Sequence, residues 1–223
     1  SSGSSTTSAR PLLLVTDAGH DAVHVVDFVG RTHAGYLAPP GSIAGPRGVA
    51  ASWTSPLAAV SAWKEANSGD HVVVVYRGSG AVWEAVRVIG GGFGGPGYEE
   101  RQLSAPHGLR FSGDGSDICV ADSGNDRASM FRVGDGGFVQ HIATGLSRPF
   151  DVEEVEGGWL VVSFATNRVE FVGDGVGDVE DGVVGDGIGD GVGDVGDGVV
   201  GDGVRKVGDG DVGDGVGEVA DGI

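Results

Sequence analysis

The sequence predicts an all-β fold of repeated four-stranded antiparallel sheets, followed by a low-complexity acidic tail. Two recurring landmarks and the near absence of helical periodicity predict it. Three segments begin alike: Pro46-Arg47-Gly48-Val49, Pro106-His107-Gly108-Leu109 and Pro149-Phe150-Asp151-Val152. The last two start 43 residues apart and the first two 60, so the unit between them carries an insertion. A second landmark, Val15-Thr16-Asp17-Ala18-Gly19-His20-Asp21, returns as Val120-Ala121-Asp122-Ser123-Gly124-Asn125-Asp126. A weaker third copy runs over 162–168 and ends in Thr166-Asn167-Arg168.

The unit starting at His107 divides into four strands. The first is His107–Phe111. Asp114-Gly115 then marks a tight turn, because this dipeptide accepts the positive φ of short hairpins. Ser116–Asp122 is the second strand, with Ile118 and Val120 on one face. Arg127–Val133 is the third, and Phe138–Ala143 the fourth. Short β-rich runs with turn signals at this spacing describe a propeller blade. Leu57–Glu65 is the one stretch where periodicity does not choose between helix and strand.

Pro106-His107-Gly108-Leu109, Asp114-Gly115, the run from Val120 to Arg127, Phe131 and Asp135-Gly136 together resemble the NHL repeat of β-propeller proteins. The likeness is good in that blade, partial around 13–27 and 159–172, and poor over 49–88. It spans about residues 12–172, or three to four blades. A propeller ring typically has four to eight blades. The expected architecture is therefore an incomplete NHL-type propeller arc, as if cut from a larger ring, with open edges at both ends. The expected division is a disordered segment 1–10, the partial propeller 11–172 and an acidic tail 173–223.

Charge is unevenly distributed. Residues 1–172 hold 18 acids and 12 bases, a net of −6, and residues 173–223 hold 14 acids and 2 bases, a net of −12. All aromatic residues lie in the first part, which alone can bury a core. This balance argues against nucleic acid and against anionic membranes as partners, because both select for Lys and Arg. The single cysteine, Cys119, forms no intrachain disulfide. With no signal-peptide pattern and no Asn-x-Ser/Thr site, it tilts the expectation towards an intracellular protein.

Residues 173–188 and 189–204 are near-identical 16-residue copies of Gly, Asp and Val, with a degraded third copy from Gly208. Dense Asp repels itself and Gly is costly to order, so the tail is expected to be disordered. Calcium binding by its Asp-Gly turns is the alternative. However, the 16-residue period does not fit the nine-residue calcium β-roll, and the spacing of acids departs from an EF-hand loop.

Arg47, His107 and Phe150 follow Pro in three units. In a propeller this places them where the innermost strand begins, at the mouth of the central channel. They are the candidate ligand-binding residues, for a protein or a small molecule. Asp17 and Asp122 end second strands and are expected to accept turn N–H groups; they are also the weak candidates for a metal, with Ca²⁺ the cation to consider. Cys119 is expected to be a buried thiol and Trp159 a core aromatic.

The resemblance implies an interaction module in part, since many relatives are binding domains. It also brings in two enzyme types as alternatives. Peptide-amidating lyases place histidines near the channel mouth, and here only His107 matches. Gluconolactonase-like propellers gather acids and Asn around a metal, and no such set assembles from these positions. The leading expectation is a non-enzymatic propeller scaffold that binds a ligand without a cofactor. Missing blades or another chain are expected at its open edges. Gly90–Gly95 matches a dinucleotide-type glycine pattern, but Pro96-Gly97 follows where a helix is required.

Overall fold

The computed structural model describes residues 11–64, 71–91, 96–173 and the backbone of 204–205. Among these residues four antiparallel sheets follow one another in chain order. The first holds β1 (Leu12–Asp17), β2 (Ala22–Asp27) and β3 (Thr32–Ala38). The second holds β4 (Pro46–Ala51), β5 (Leu57–Ala62), β6 (Val72–Ser79) and β7 (Val82–Gly90). The third holds β8 (Pro106–Phe111), β9 (Asp117–Asp122), β10 (Arg127–Arg132) and β11 (Phe138–Ala143). The fourth holds β12 (Pro149–Val155), β13 (Gly158–Ser163), β14 (Arg168–Gly173) and the two-residue β15 (Val204–Arg205).

Each sheet is a simple meander, every strand pairing with its neighbour in sequence. The stretch whose periodicity left helix and strand open contains β5. Its Leu-Ala-Ala-Val-Ser-Ala run has no alternation because both faces are covered, and Ala58 to Ala62 are all buried. The expected disordered tail lies outside the described residues, apart from β15, which pairs with β14 through Phe171↔Arg205 and Val172↔Val204. The segment 1–10 and residues 92–95 of the Gly90–Gly95 run also lie outside them.

The first sheet lacks the strand with which the other three begin. Its β1 corresponds to β5, β9 and β13. The pair Asp17↔Ala22 takes the place of Ala62↔Val72, Asp122↔Arg127 and Ser163↔Arg168. Accordingly β1 packs on β4, as β5 packs on β8 and β9 on β12.

Alternate residues of a strand face opposite sides, so each inner sheet contributes to two cores. Val23, Val25 and Leu37 of the first sheet meet Ala58, Val60 and Tyr76 of the second. Ala59, Val73, Val75 and Ile89 of the second meet Ile118, Val120 and Phe131 of the third. Cys119, Ala121, Ala128 and Ile142 of the third meet Trp159, Val161 and Val172 of the fourth. Cys119 is fully buried and burial pushes its thiol pKa up, so it is a core side chain, as is Trp159. Among the described residues no helix is long and apolar enough to cross a membrane.

Candidate functional site

The three sheets with a complete set of strands begin in the same way. The residue before each proline has a left-handed backbone: Gly45 at φ +57°, Ala105 at +47° and Arg148 at +53°. Non-glycine residues rarely adopt this region, and a following proline disfavours helical backbone further. Something outside the turn must therefore hold it.

The preceding sheet supplies that hold. Asp21, His71 and Asp126 each stand one residue before corresponding strands, β2, β6 and β10. Asp21 Oδ1 accepts the N–H of Gly45 at 2.9 Å, His71 Nδ1 that of Ala105 at 2.7 Å, and Asp126 Oδ1 that of Arg148 at 2.9 Å. Hydroxyls on β1 and on its counterpart β5 add a second tie. Thr16 donates to the carbonyl of Arg47 at 3.0 Å and Ser61 to that of His107. Ser123, just beyond β9, donates to the carbonyl of Pro149.

Arg47, His107 and Phe150 come next in the chain, and each falls at a register shift. Pairing breaks between Pro46 and Val49, between Pro106 and Leu109, and between Pro149 and Asp151. Their side chains are thereby turned out of the ladder. Gly48 and Gly108 let the first strands approach. A Cβ on Gly48 would lie 2.6 Å from the carbonyl oxygen of His107, and one on Gly108 would lie 2.6 Å from the Cα of Asp151. The third sequence of this pattern has Asp151 in place of glycine, and Asp151 is exposed.

The three predicted residues line one cleft of about 400 Å³, with Gly48, Val49, Gly108, Leu109 and Asp151. A line of planar groups crosses it. The Arg47 guanidinium carbon lies 4.5 Å from the Trp63 ring centroid, and Trp63 lies 5.4 Å from His107. His107 lies 4.5 Å from Phe150, and Phe150 lies 5.8 Å from Phe164. Trp63 and Phe164 complete the line; Trp63 is one of the tryptophans whose sequence context fits either the core or the rim, whereas nothing in the sequence marks Phe164. Both stand one residue past a second strand, next to the positions paired with Pro46 and Pro149. Register alignment of the second strands would have found them.

His107 is held in a single state. Its Nδ1 lies 2.9 Å from the carbonyl oxygen of Ala105 and 3.0 Å from Ser123 Oγ. A carbonyl only accepts, so Nδ1 carries the proton and Nε2 keeps its lone pair. Burial lowers the His107 pKa, and the nearby charges of Arg47 and Arg148 lower it further. The ring is thus neutral at pH 7. Arg47 and Arg148 leave the mouth with positive charge beside one carboxylate, Asp151.

Asp17 and Asp122 are not brought together; they lie in different sheets. Asp17 Oδ1 accepts the N–H of His20 at 3.1 Å, the turn role expected of it. Its Oδ2 lies 2.8 Å from His20 Nδ1 and 3.5 Å from His24 Nε2. Asp122 departs from the expected role. It bonds not to the N–H groups of its own turn but to Ser104 N–H at 2.6 Å, Asn125 Nδ2 at 2.8 Å and Arg127 Nε at 2.9 Å. Arg127 continues from Asp122 to the carbonyls of Tyr98, Glu99 and Gln102, so the carboxylate is committed to a link between segments rather than to its own turn. Among the described residues no three His, Cys, Asp or Glu side chains are grouped to hold a metal ion.

With this geometry in view, solved structures supply the comparison. A nidogen/laminin complex is similar over 72% of this chain and 54% of its own, at 20% identity and a TM-score of 0.57. Hydrazine synthase from Kuenenia stuttgartiensis is similar over 73% of this chain and 42% of its own, at 18% identity and a TM-score of 0.54. Both similarities are to β-propeller folds. The chain is an incomplete β-propeller. It spans about half the length of these propeller-containing chains. No family model matches the sequence, and no curated protein matches it. In propeller terms the four sheets are blades, β4, β8 and β12 are the innermost strands, and the Arg47–His107–Phe150 cleft lies where those three strands begin.

Proposed function

We propose that this propeller is a non-enzymatic binding module of NHL type, and that its ligand docks in the mouth cleft. The observation that carries the reading is the line Arg47–Trp63–His107–Phe150–Phe164, which joins three blades along one rim. Phe150 and Phe164 are 48% and 60% exposed, unusually open for phenylalanine beside a cleft. Aromatic rings and arginine are the side chains most often found to dominate binding energy at interfaces.

The chemistry favours a ligand with a carboxylate next to an apolar or aromatic group. Arg47 and Arg148 attract the anion, and the rings take the apolar part. Main-chain ties hold the inner strands rigidly, so little ordering is required on binding. A protein partner supplies such a group through an acidic–aromatic segment. The nidogen/laminin complex, in which a similar fold occurs within a protein–protein assembly, supports a protein over a metabolite. Among the mouth residues, His107 is the only imidazole. Arg47 and Phe150 beside it are poor metal ligands, which favours binding over metal-dependent hydrolysis or lysis.

The test is fluorescence-polarisation screening of labelled peptides that contain Asp or Glu beside Phe, Tyr or Trp. Micromolar binding is expected for some of them. Arg47→Ala and Phe150→Ala should each weaken it about tenfold, equivalent to ~1.4 kcal/mol. Binding unaffected by both substitutions, or no binding across the panel, would refute the mouth as the docking site.

A further inference from the structure

The two end blades each present one sheet face that, in the blades between them, is covered by a neighbour. On the fourth blade the outward face carries the pairs Leu160↔Phe171 and Val162↔Val169. Register places them where the second blade has Ala59↔Val75 and Ser61↔Val73, and where the third has Cys119↔Met130 and Ala121↔Ala128. Those earlier pairs are packed against the following blade. Here Val162 and Val169 are 39% and 43% exposed.

On the first blade the opposite face carries Leu13↔Val26 and Val15↔His24. Leu13↔Val26 stands where later blades have Ala58↔Tyr76, Ile118↔Phe131 and Trp159↔Val172, and Val15↔His24 where they have Val60↔Val74, Val120↔Ser129 and Val161↔Glu170; Ala58, Val60, Ile118, Val120, Trp159 and Val161 are all packed against the blade before. Leu13 and Val15 are 48% and 40% exposed. One chain therefore displays both halves of the interface that it already makes three times internally.

We infer that two copies of this chain associate head to tail, the outward face of the fourth blade of each receiving the first blade of the other. The halves are complementary by register, and an interface between unlike faces closes into a ring when the rotation permits. Two copies bring eight sheets, within the four to eight blades usual for propellers, whereas three copies bring twelve. The remaining segments of this chain are unsuited to either face. Residues 1–10 are Ser-Ser-Gly-Ser-Ser-Thr-Thr-Ser-Ala-Arg, with no large apolar side chain. In the tail nearly every valine has an acid within two residues, so covering an apolar face with it would desolvate carboxylates.

Light scattering on the full chain after size exclusion, at tens of micromolar, tests this. The expected mass is twice the 22.3 kDa of one chain. Val15→Glu and Val162→Glu should each halve it. An equimolar mixture of the two variants should regain dimer, because each supplies the face the other has lost. Leu13→Glu and Val169→Glu form a second pair should a first-pair variant fail to keep the wild-type circular dichroism. A monomeric wild type, a dimer that survives either charge, or a mixture that stays monomeric would overturn the inference. The mouth cleft lies within one chain, so peptide binding by a monomer would sink the dimer and leave the binding reading standing.

Discussion

Asp126 on the third blade accepts the backbone N–H of Arg148 on the fourth at 2.9 Å, and Arg148 lies two residues before the mouth residue Phe150. Asp21 does the same for Gly45 ahead of Arg47, and His71 for Ala105 ahead of His107. These bonds join neighbouring blades and set the direction in which each inner strand begins. Asp126→Ala removes the acceptor and also puts alanine at φ +51°, so a loss of about 1–2 kcal/mol is expected. Asp126→Asn keeps both an acceptor and tolerance of that backbone, and should recover most of it. Urea unfolding midpoints of the two variants decide the matter; equal losses would mean the bond itself contributes little.

Arg127 is 7% exposed and ties the fully buried Asp122 to the 98–102 segment that leads into the third blade. Arg127→Ala leaves a buried carboxylate without its cation, a change that typically costs about 3–5 kcal/mol. Lysine has no planar fork to reach Asp122 and three carbonyls at once, so Arg127→Lys should remain well below wild type. Chemical denaturation of both variants is the measurement, and a full rescue by lysine would show that charge alone matters there.

Gly48 and Gly108 test how closely the inner strands approach. Each added methyl group meets the next blade's backbone at 2.6 Å, inside contact distance. Overpacking of this kind costs about 1–3 kcal/mol. Gly108→Ala should lower the melting temperature, whereas Gly134→Ala, which meets nothing within 4 Å, serves as the control. Equal melting temperatures for the two variants would contradict the tight approach.

The lowered pKa of His107 makes a signed prediction. The folded protein holds the ring neutral below its ordinary 6.5, while the unfolded chain takes up the proton there. The unfolded state then binds more protons, so this contribution is complete above pH 6.5 and is lost as pH falls through the folded pKa. His107→Gln removes it. The stability difference between wild type and variant should therefore shrink from pH 7.5 to pH 5, as read from urea midpoints. A difference independent of pH would show that His107 titrates alike in both states.

The sequence made the third blade nearly fully legible. Its strands, expected at 107–111, 116–122, 127–133 and 138–143, lie within a residue of β8 to β11, because Asp-Gly and Gly-rich turns bound each one. The second blade was harder to read, since its small, doubly buried β5 shows no alternation. The mouth trio was legible from the shared proline. Phe164 was not, because the same register position holds Trp63 in one blade, Ser123 in the next and Phe164 in the last. The inter-blade ties were hidden for a similar reason. Asp, His and Asp fill one structural position, and their partners are main-chain groups 24, 34 and 22 residues away.

Those ties grip the chain only by its backbone N–H and carbonyl groups. The side chain that follows each proline is therefore positioned without being chosen. Arg47, His107 and Phe150 are three answers to the same backbone geometry. The chemistry displayed along this rim can therefore be changed one blade at a time, by single substitutions, while the backbone ties of the arc beneath stay in place.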